Sequence, residues 1–283
     1  MGDNNNKELQ DQVLELKDKL KQSNDQVEQL GTKLLKAESQ RSSFLSHILN
    51  EINNPLTSIL GLTKNIRRMA YSNPELVHEQ ANLAFEQAFE LDYKMRNLFA
   101  AAAIEAGTVV VQPCRVQVSG MLHDSIQDLY FKSKRKDISV TLVDNVKSGQ
   151  YLTTDPGMFH AICLNLIGNA IEFSSQNQLV KIDIELNETE LVFSISDQGP
   201  GISKEDQKVI FSRFKQLDEG IAKAHQGTGL GLSIVKEYTE LLGGTLRLDS
   251  ELDMGSTFTL ILPHISNNTE DFEKASFEED VLF

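Results

Sequence analysis

Two asparagines in the second half of the chain have a spacing that could serve a metal-bound nucleotide. Asn165 and Asn169 are four residues apart in an otherwise apolar segment, so on a helix they share one face. Amide oxygens are acceptable ligands for Mg²⁺. The alternative is a pair of core asparagines whose amides are satisfied by backbone groups, because a buried amide without a partner is costly.

A carboxylate between a predicted strand and two glycines could recognise a base. Asp197 directly follows the strand predicted at Leu191–Ser196, and Gly199 and Gly201 come next. Glycine allows close approach of the backbone and unusual dihedral angles. Because an ionised carboxylate only accepts hydrogen bonds, it can select an exocyclic amine such as that of adenine. Taken alone, the same segment would be a turn after a strand.

A third segment alternates glycine with other residues just before a predicted helix. Its residues are Gly227, Thr228, Gly229, Leu230 and Gly231. Glycines at this place expose backbone N–H groups, and the N-terminus of the helix favours a phosphate. The segment is not a Walker loop, because no Lys-Ser/Thr pair follows the last glycine, and Leu232 breaks the G-x-G-x-x-G pattern.

Strands and helices alternate in the part of the chain that carries these segments. Runs rich in β-branched residues predict strands at Val109–Val111, Val116–Val118, Ile138–Val143, Lys181–Leu186, Leu191–Ser196 and Thr257–Leu262. Helices are predicted near Ser119–Lys134, Asp155–Ser174 and Leu230–Leu242. This mixture predicts an α/β two-layer sandwich in which helices cover one face of a mixed sheet.

The first half of the chain predicts long helices with apolar seams. Spacings of four and three from Leu9 to Leu34 predict a parallel dimeric coiled coil. The same spacing predicts one helix from Leu45 to Met69 and a second from Val77 to Ala102, joined by a turn at residues 71–74. Two copies of this hairpin would form a four-helix bundle, so we expect a homodimer of overall α+β class.

In this order, the segments resemble the ATPase domain of histidine kinases and their relatives. That family names them the N box (Asn165, Asn169), the G1 box (Asp197, Gly199, Gly201), the F box (residues 211–214) and the G2 box (Gly227, Gly229, Gly231). The resemblance covers most of residues 41–263. It implies a site for ATP and Mg²⁺ in which Asp197 reads the adenine, Asn169 holds the metal and the G2 glycines wrap the phosphates.

One position of the ATPase segment departs from the family. The residue three after Asn169 is commonly basic in histidine kinases and is Glu172 here. A carboxylate at this place could weaken the affinity for phosphate or could point to solvent.

The helical hairpin carries a more informative departure. Residues 44–56 resemble the phosphoacceptor box, in which the residue before Glu51 is the histidine that receives the γ-phosphoryl group; here it is Asn50. An imidazole is nucleophilic when a base such as Glu51 takes its ring proton, whereas the lone pair of an amide nitrogen is delocalised into the carbonyl. We therefore expect no phosphorylation of Asn50. His47 is a poor substitute, because the acid and the following Asn-Pro are aligned with residue 50.

Asn54 suggests a second activity of the same helix. It follows Asn50 by four residues, where phosphatase-competent members of the family place Thr or Asn to orient a water. Glu51 and Asn54 could thus help to dephosphorylate a partner's aspartyl phosphate. Helix capping near Pro55 is the alternative role of Asn54.

Three functions remain open after the motifs. The chain could be an engineered, phosphorylation-dead variant of a kinase core, a natural pseudokinase or response-regulator phosphatase, or a non-enzymatic nucleotide-sensing dimeric scaffold. The retained ATP motifs disfavour the scaffold, which has no chemical need for them. The resemblance implies a second copy and the receiver domain of a response regulator as partners.

Composition limits the classes of partner and the location. The 283 residues carry 27 Lys and Arg against 41 Asp and Glu, a net charge of −14, which argues against nucleic acid and anionic membranes. No apolar run approaches the roughly 18 residues of a membrane span, and the start lacks the layout of a signal peptide. Cys114 and Cys163 provide neither a disulfide framework nor a zinc cluster. We therefore expect a cytoplasmic protein.

These patterns predict five regions along the chain. The predicted bounds are 1–40 for a signalling coiled coil, 41–107 for a dimerisation and phosphoacceptor-like hairpin, 108–115 for a linker, 116–263 for the ATP-binding domain and 264–283 for an acidic tail.

Overall fold

The computed structural model describes residues 49–69, 73–213 and 228–264. The chain divides into two compact units, Met1–Asn54 and Pro55–Phe283. The predicted coiled coil, His47, Gly227 and all but the first residue of the predicted acidic tail lie outside the described residues. The five predicted region bounds stay predictions.

Two long helices open the described chain. Residues 49–69 are helical (α1), and α2 spans Pro74–Ala106. The side chain of Asn73 caps α2 by accepting a hydrogen bond from the Leu76 N–H at 3.1 Å, and Pro74 fits the first turn because its N–H is not needed there. The helix ends at Gly107, whose φ of 64° is left-handed. These helices are as predicted, whereas the dimeric four-helix bundle stays a prediction.

A mixed five-stranded sheet makes up the core of the second half, as the sequence predicts. Its strands are β2 (Ser139–Asp144), β4 (Leu179–Leu186), β5 (Glu190–Asp197), β7 (Ser256–Pro263) and β6 (Thr245–Ser250), in that spatial order. Strands β2 and β4 are parallel and the other pairs antiparallel. Every second residue of β4, β5 and β7 is buried, which is the period of a strand with one face in the core. A separate antiparallel pair joins β1 (Cys114–Val116) to β3 (Leu152–Thr154).

Helix α5 (Pro156–Phe173) is the central helix of this layer. Eleven of its 18 residues are buried, so it is enclosed on nearly every side. Asp155 caps its N-terminus by accepting a hydrogen bond from the Met158 N–H at 3.0 Å. The ring of Phe159 meets the edge of Phe193 on β5 at 6.3 Å, which fixes the helix to the sheet. The other helices are α3 (Val118–Asp128), α4 (Tyr130–Arg135), a short 3₁₀ turn (Asp206–Lys208) and α6 (Gly231–Leu241).

Several sequence-based assignments are wrong. Val109–Val111 is not a strand: β-branched residues form strands only where a neighbouring strand pairs with them. The strand predicted at Val116–Val118 is displaced, since β1 ends at Val116 and α3 begins at Val118. The helix predicted near Ser119–Lys134 is interrupted at Leu129, and strands β3 and β6 were missed.

The described helices include none that combines the length and the apolar character needed to cross a membrane.

A lysine from another element holds the C-terminal end of α5. The Nζ of Lys136 donates hydrogen bonds to the carbonyl oxygens of Ile171 (3.3 Å), Glu172 and Ser174 (3.2 Å). The last carbonyls of a helix have no partner within the helix, and a positive charge there is favourable. Lys136 thereby fixes the backbone that follows Asn169.

We expect Lys136→Met to lower the free energy of unfolding by about 1–3 kcal/mol, because three carbonyls lose a charged donor. Urea denaturation of the full chain measures this change. Lys134→Met is the matched control, since Lys134 lies exposed on α4 and should change stability by less than about 0.5 kcal/mol. Equal effects of the two substitutions would contradict a capping role for Lys136.

Candidate functional site

The three predicted nucleotide segments meet along helix α5. A Cβ added to Gly199 would lie 2.7 Å from the carbonyl oxygen of Phe173, at the C-terminal end of α5. A Cβ added to Gly231 would lie 2.5 Å from Oδ1 of Asn165, in the middle of the same helix. Real Cβ atoms essentially never approach this closely, so only glycine fits at either place. The structure therefore brings together the predicted segments at residues 165–169 and 197–201 and the described part of the third segment, residues 228–231.

Asp197 lies at the end of β5 with one carboxylate oxygen in use. Its Oδ1 accepts hydrogen bonds from the backbone N–H of Gly199 (2.8 Å) and of Ser256 (3.2 Å). Burial raises the pKa of Asp197, and these two hydrogen bonds oppose the shift. Within the described ranges no protein group bonds to Oδ2, so that oxygen can accept a hydrogen bond from a ligand amine.

The turn between β6 and β7 closes over the glycines that follow Asp197. Gly201 has a φ of 68°, and a Cβ there would lie 1.9 Å from the carbonyl oxygen of Glu251. Gly255 has a φ of 84°, and a Cβ there would lie 2.1 Å from the carbonyl oxygen of Asp197. The Asp253 N–H donates to the carbonyl of Pro200 at 2.7 Å. The backbone around Asp197 is therefore fixed from both sides by close contacts that require glycine.

Asn165 has the properties of a core asparagine. It is completely buried, with 0% exposure. Its Oδ1 accepts hydrogen bonds from the Tyr93 hydroxyl (2.8 Å) and Asn97 Nδ2 (3.0 Å), and its Nδ2 donates to Asn97 Oδ1 (3.0 Å) and the Ala161 carbonyl (2.8 Å). All four positions of the amide are thus occupied. Its predicted role in binding a ligand stays a prediction.

Asn169, one helical turn later, is in the opposite situation. It is half-buried, and the described residues offer its side chain no hydrogen-bond partner. Its amide is therefore free to bind a ligand or a metal. No cluster of three or more His, Cys, Asp or Glu that could hold a metal occurs in the described part of the chain. A magnesium ion at Asn169 would thus need the oxygens of phosphate and water to complete its coordination.

The glycine-rich segment enters α6 without a side-chain cap. Gly229 has a φ of 67°, Leu230 is fully buried, and α6 begins at Gly231. Among the described residues, the N-cap position is Leu230, which provides no side-chain hydrogen bond to the first N–H groups of this helix. These N–H groups, together with the backbone from Thr228 onward, are of the kind that binds phosphate.

The remaining predicted positions lie elsewhere. Asn50 and Asn54 are exposed on α1, while Glu51 between them is only 7% exposed; all three belong to the first unit, and the nucleotide segments belong to the second. Glu172 is half-buried near Lys136, whose pKa is lowered by burial and raised in part by the Glu172 carboxylate. The charge of Glu172 is therefore partly balanced by a nearby lysine.

Known proteins of similar sequence include two histidine kinases. Residues 154–266 match the family described as histidine kinase-, DNA gyrase B- and HSP90-like ATPase. The chain is 26% identical over 258 residues to the circadian input-output histidine kinase CikA of Synechococcus elongatus, covering 90% of this chain and 34% of that protein. It is 29% identical over 241 residues to the sensor histidine kinase TmoS of Ectopseudomonas mendocina, covering 85% of this chain and 25% of that protein.

A solved structure shares the fold. Full-length ShkA, crystallised in complex with AMPPNP, aligns with a TM-score of 0.54 and 24% identity over 80% of this chain and 46% of that one. Residues 154–266 are therefore similar to the histidine kinase-like ATPase family. It spans about a third and a quarter of the lengths of CikA and TmoS.

Sequence reasoning missed the residues that surround the amide of Asn165. Tyr93 and Asn97 lie on α2, 72 and 68 residues before their partner. Their four-residue spacing continues at Phe89 and Ala101, so the four residues share one face of α2. This signal was in the sequence, but a search for apolar stripes passes over a face that contains an asparagine.

We expect Gly201→Ala to destabilise the folded chain more than Gly149→Ala. Both glycines have left-handed φ angles (68° and 82°), so alanine costs roughly 1–2 kcal/mol at either place. A Cβ at Gly149 meets nothing within 4 Å, whereas a Cβ at Gly201 collides with the Glu251 carbonyl. The collision should add about 1–3 kcal/mol at Gly201. Urea unfolding of both variants measures the difference, and equal losses would show that the turn over Gly201 is not closely packed.

We expect Asp197→Asn to be at least as stable as the wild type at pH 7. Because burial raises the pKa of Asp197, the folded chain binds a proton that the unfolded chain has lost, and this group's contribution to stability falls as pH rises from its unfolded pKa through its folded one. An amide avoids that loss and still accepts the two backbone hydrogen bonds. The difference in urea midpoint between variant and wild type should shrink as the pH is lowered toward 4. If the difference in urea midpoint instead grows as the pH is lowered, the pKa of Asp197 is not raised by burial.

Proposed function

We propose that this chain is the core of a two-component histidine kinase that binds Mg-ATP and is unable to phosphorylate itself at residue 50. The observation that carries the nucleotide site is the convergence of three motif segments on α5, at Gly199 and Gly231. The match of residues 154–266 to the ATPase family supports the same site. The names of CikA and TmoS, both histidine kinases, support a role in two-component signalling.

Each motif segment has a role in this proposal. The free Oδ2 of Asp197 accepts a hydrogen bond from the exocyclic amine of adenine, and Gly199 and Gly201 let the backbone approach the base. The unpartnered amide of Asn169 is a ligand for magnesium, which, when bound, neutralises phosphate charge. Backbone N–H groups from Thr228 to Gly231 hold the phosphates.

Residue 50 separates nucleotide binding from phosphoryl transfer. Asn50 is exposed on α1, so a phosphoryl donor can reach it, yet its amide nitrogen is not a nucleophile. We propose first that Asn50 replaces a histidine in an engineered, phosphorylation-dead variant. Asparagine removes the nucleophile from an exposed position with little change in size or polarity, and it leaves Glu51 and Asn54 in place.

A natural pseudokinase or response-regulator phosphatase is the second candidate. Glu172, in place of the basic residue common in the family, favours this reading, because a single engineered change at residue 50 would not alter a second position. Asn54 lies exposed one turn after Asn50, where it can orient a water toward a partner's aspartyl phosphate. A non-enzymatic, nucleotide-sensing dimeric scaffold is the third. In all three, a second copy of the chain and the receiver domain of a response regulator are the proposed partners.

We expect Asn50→His to restore acid-labile labelling from γ-³²P-labelled ATP, because it returns a nucleophile next to Glu51. The unchanged chain, with Asn50, should stay at background. Asn53→His is the matched control: residue 53 is equally exposed on the same helix but is not followed by the acid. Adding Asp197→Asn to Asn50→His should abolish the label if adenine is read at Asp197.

The failure modes of this experiment separate the candidates when direct Mg-ATP binding is measured in parallel by calorimetry. Mg-ATP binding without label in Asn50→His favours the pseudokinase over the engineered kinase. Label that persists in the wild type but disappears in His47→Ala would move the acceptor to His47. If the chain does not bind Mg-ATP, the non-enzymatic scaffold is the candidate function that remains.

A further inference from the structure

Helix α2 packs one face against the ATPase core. Phe89, at one end of this face, meets the ring edge of Phe131 with centroids 5.6 Å apart. Beside it, Glu90 forms a largely buried ion pair with Lys132 at 2.9 Å. At the other end, Ala101 is buried. We call this surface the docking face of α2, defined by Phe89, Tyr93, Asn97 and Ala101.

The centre of the docking face is polar and is specific for one side chain. Tyr93 and Asn97 together make three of the four hydrogen bonds of the Asn165 amide. Asn97 is nearly completely buried, and burial raises the pKa of the Tyr93 hydroxyl. Separation of α2 from the core would leave these groups to find new partners, and a buried polar group without a partner is costly. Separation of α2 would therefore break three buried hydrogen bonds together.

The same asparagine forms the wall against which the glycine-rich segment rests. Its Oδ1 occupies the space that any Cβ at Gly231 would need. Three hydrogen bonds with residues of α2 restrain the Asn165 side chain. Its Oδ1 therefore cannot rotate away from Gly231 while α2 is docked. On the other side of the segment, Leu230 and Ile234 are buried in a cluster with Ala101 and its neighbours on α2. Docked α2 thus fixes the last residues of the segment directly and through Asn165.

We propose that Tyr93 and Asn97 are positioning residues of the ATP site, which hold Asn165 against Gly231 and so order the phosphate-binding backbone at Thr228–Gly231. This inference rests on the proposed function, since it takes that backbone as the phosphate site. Because coupling between two equilibria is reciprocal, a bound nucleotide strengthens the docking of α2, and loss of docking weakens nucleotide binding.

The experiment uses the full chain and two variants that disturb the polar centre. Asn97→Ala removes two hydrogen bonds, and Tyr93→Phe removes one while keeping the ring. Arg96→Ala is the control, because Arg96 lies next to Asn97 but exposed, paired only with Asp92 one turn earlier. Calorimetry with Mg-ADP should give a dissociation constant about fivefold or more above wild type for Asn97→Ala, a smaller increase for Tyr93→Phe, and a value within about twofold for Arg96→Ala.

Hydrogen exchange supplies a readout that a merely structural role would not move. Mg-ADP should slow exchange of α2 amides at residues 98–104 in the wild type and in Arg96→Ala, and should not do so in Asn97→Ala. Without nucleotide, Asn97→Ala should speed exchange at residues 230–235. Wild-type affinity and unchanged exchange in Asn97→Ala and Tyr93→Phe would overturn the proposal.

The two proposals fail in different ways. A wild type that does not bind Mg-ADP, combined with faster exchange at residues 230–235 in Asn97→Ala, would overturn the nucleotide site and retain the positioning of the segment. A wild type that binds Mg-ADP, combined with variants that lose stability but keep both the affinity and the nucleotide-dependent protection, would retain the site and overturn the coupling.

Discussion

The structure of the second half of the chain depends on one constraint: a polar group on a helix enclosed by other elements is costly unless it finds a hydrogen-bond partner. Helix α5 is buried on most of its surface and still contains two asparagines. The chain treats them differently. Asn165 has hydrogen-bond partners on α2 and on its own helix. Asn169 is half-buried, and its side chain has no hydrogen-bond partner among the described residues. The satisfied amide fixes neighbouring elements, and the unsatisfied one is available for chemistry, which is how one short helix can be both a core element and part of a binding site.

Asp197 shows the same constraint applied to a charge. A half-buried carboxylate that titrates at a raised pH contributes less to stability at neutral pH than a solvated one. The backbone around it offsets part of this cost with two N–H donors to a single oxygen, and the glycines at 199, 201 and 255 are what allow that backbone to come so close. The other oxygen stays free. A buried carboxylate that lowers the stability of the fold, with one oxygen that has no partner among the described residues, is expected at a site that selects a hydrogen-bond donor.

The sequence predicts an element of the structure when the signal for that element lies within a short stretch of the chain. The alternation in β4, β5 and β7, and the capping residues Asn73 and Asp155, are local, and those elements formed as predicted. Strand β3 is three residues long and was missed because it shows no period; Val109–Val111 has the composition of a strand but no partner. The glycine-containing segments could be located because each is a pattern of neighbouring residues in the sequence. Tyr93 and Asn97 could not be assigned, because only the packing of α2 brings them to Asn165 across about 70 residues of chain.

The places of the two proposed departures from histidine kinases, residues 50 and 172, follow from the same distinction. Residue 50 is exposed, so a change from imidazole to amide there disturbs no packing, and selection for stability does not oppose it. Glu172 lies at the end of α5, where its charge is partly balanced by Lys136 and its carbonyl is held by the same lysine. Both departures therefore occur where the fold tolerates them, whereas Gly199, Gly201 and Gly231, which have no room for a side chain, are retained. Steric necessity thus preserves this glycine framework whichever residue occupies the exposed position 50.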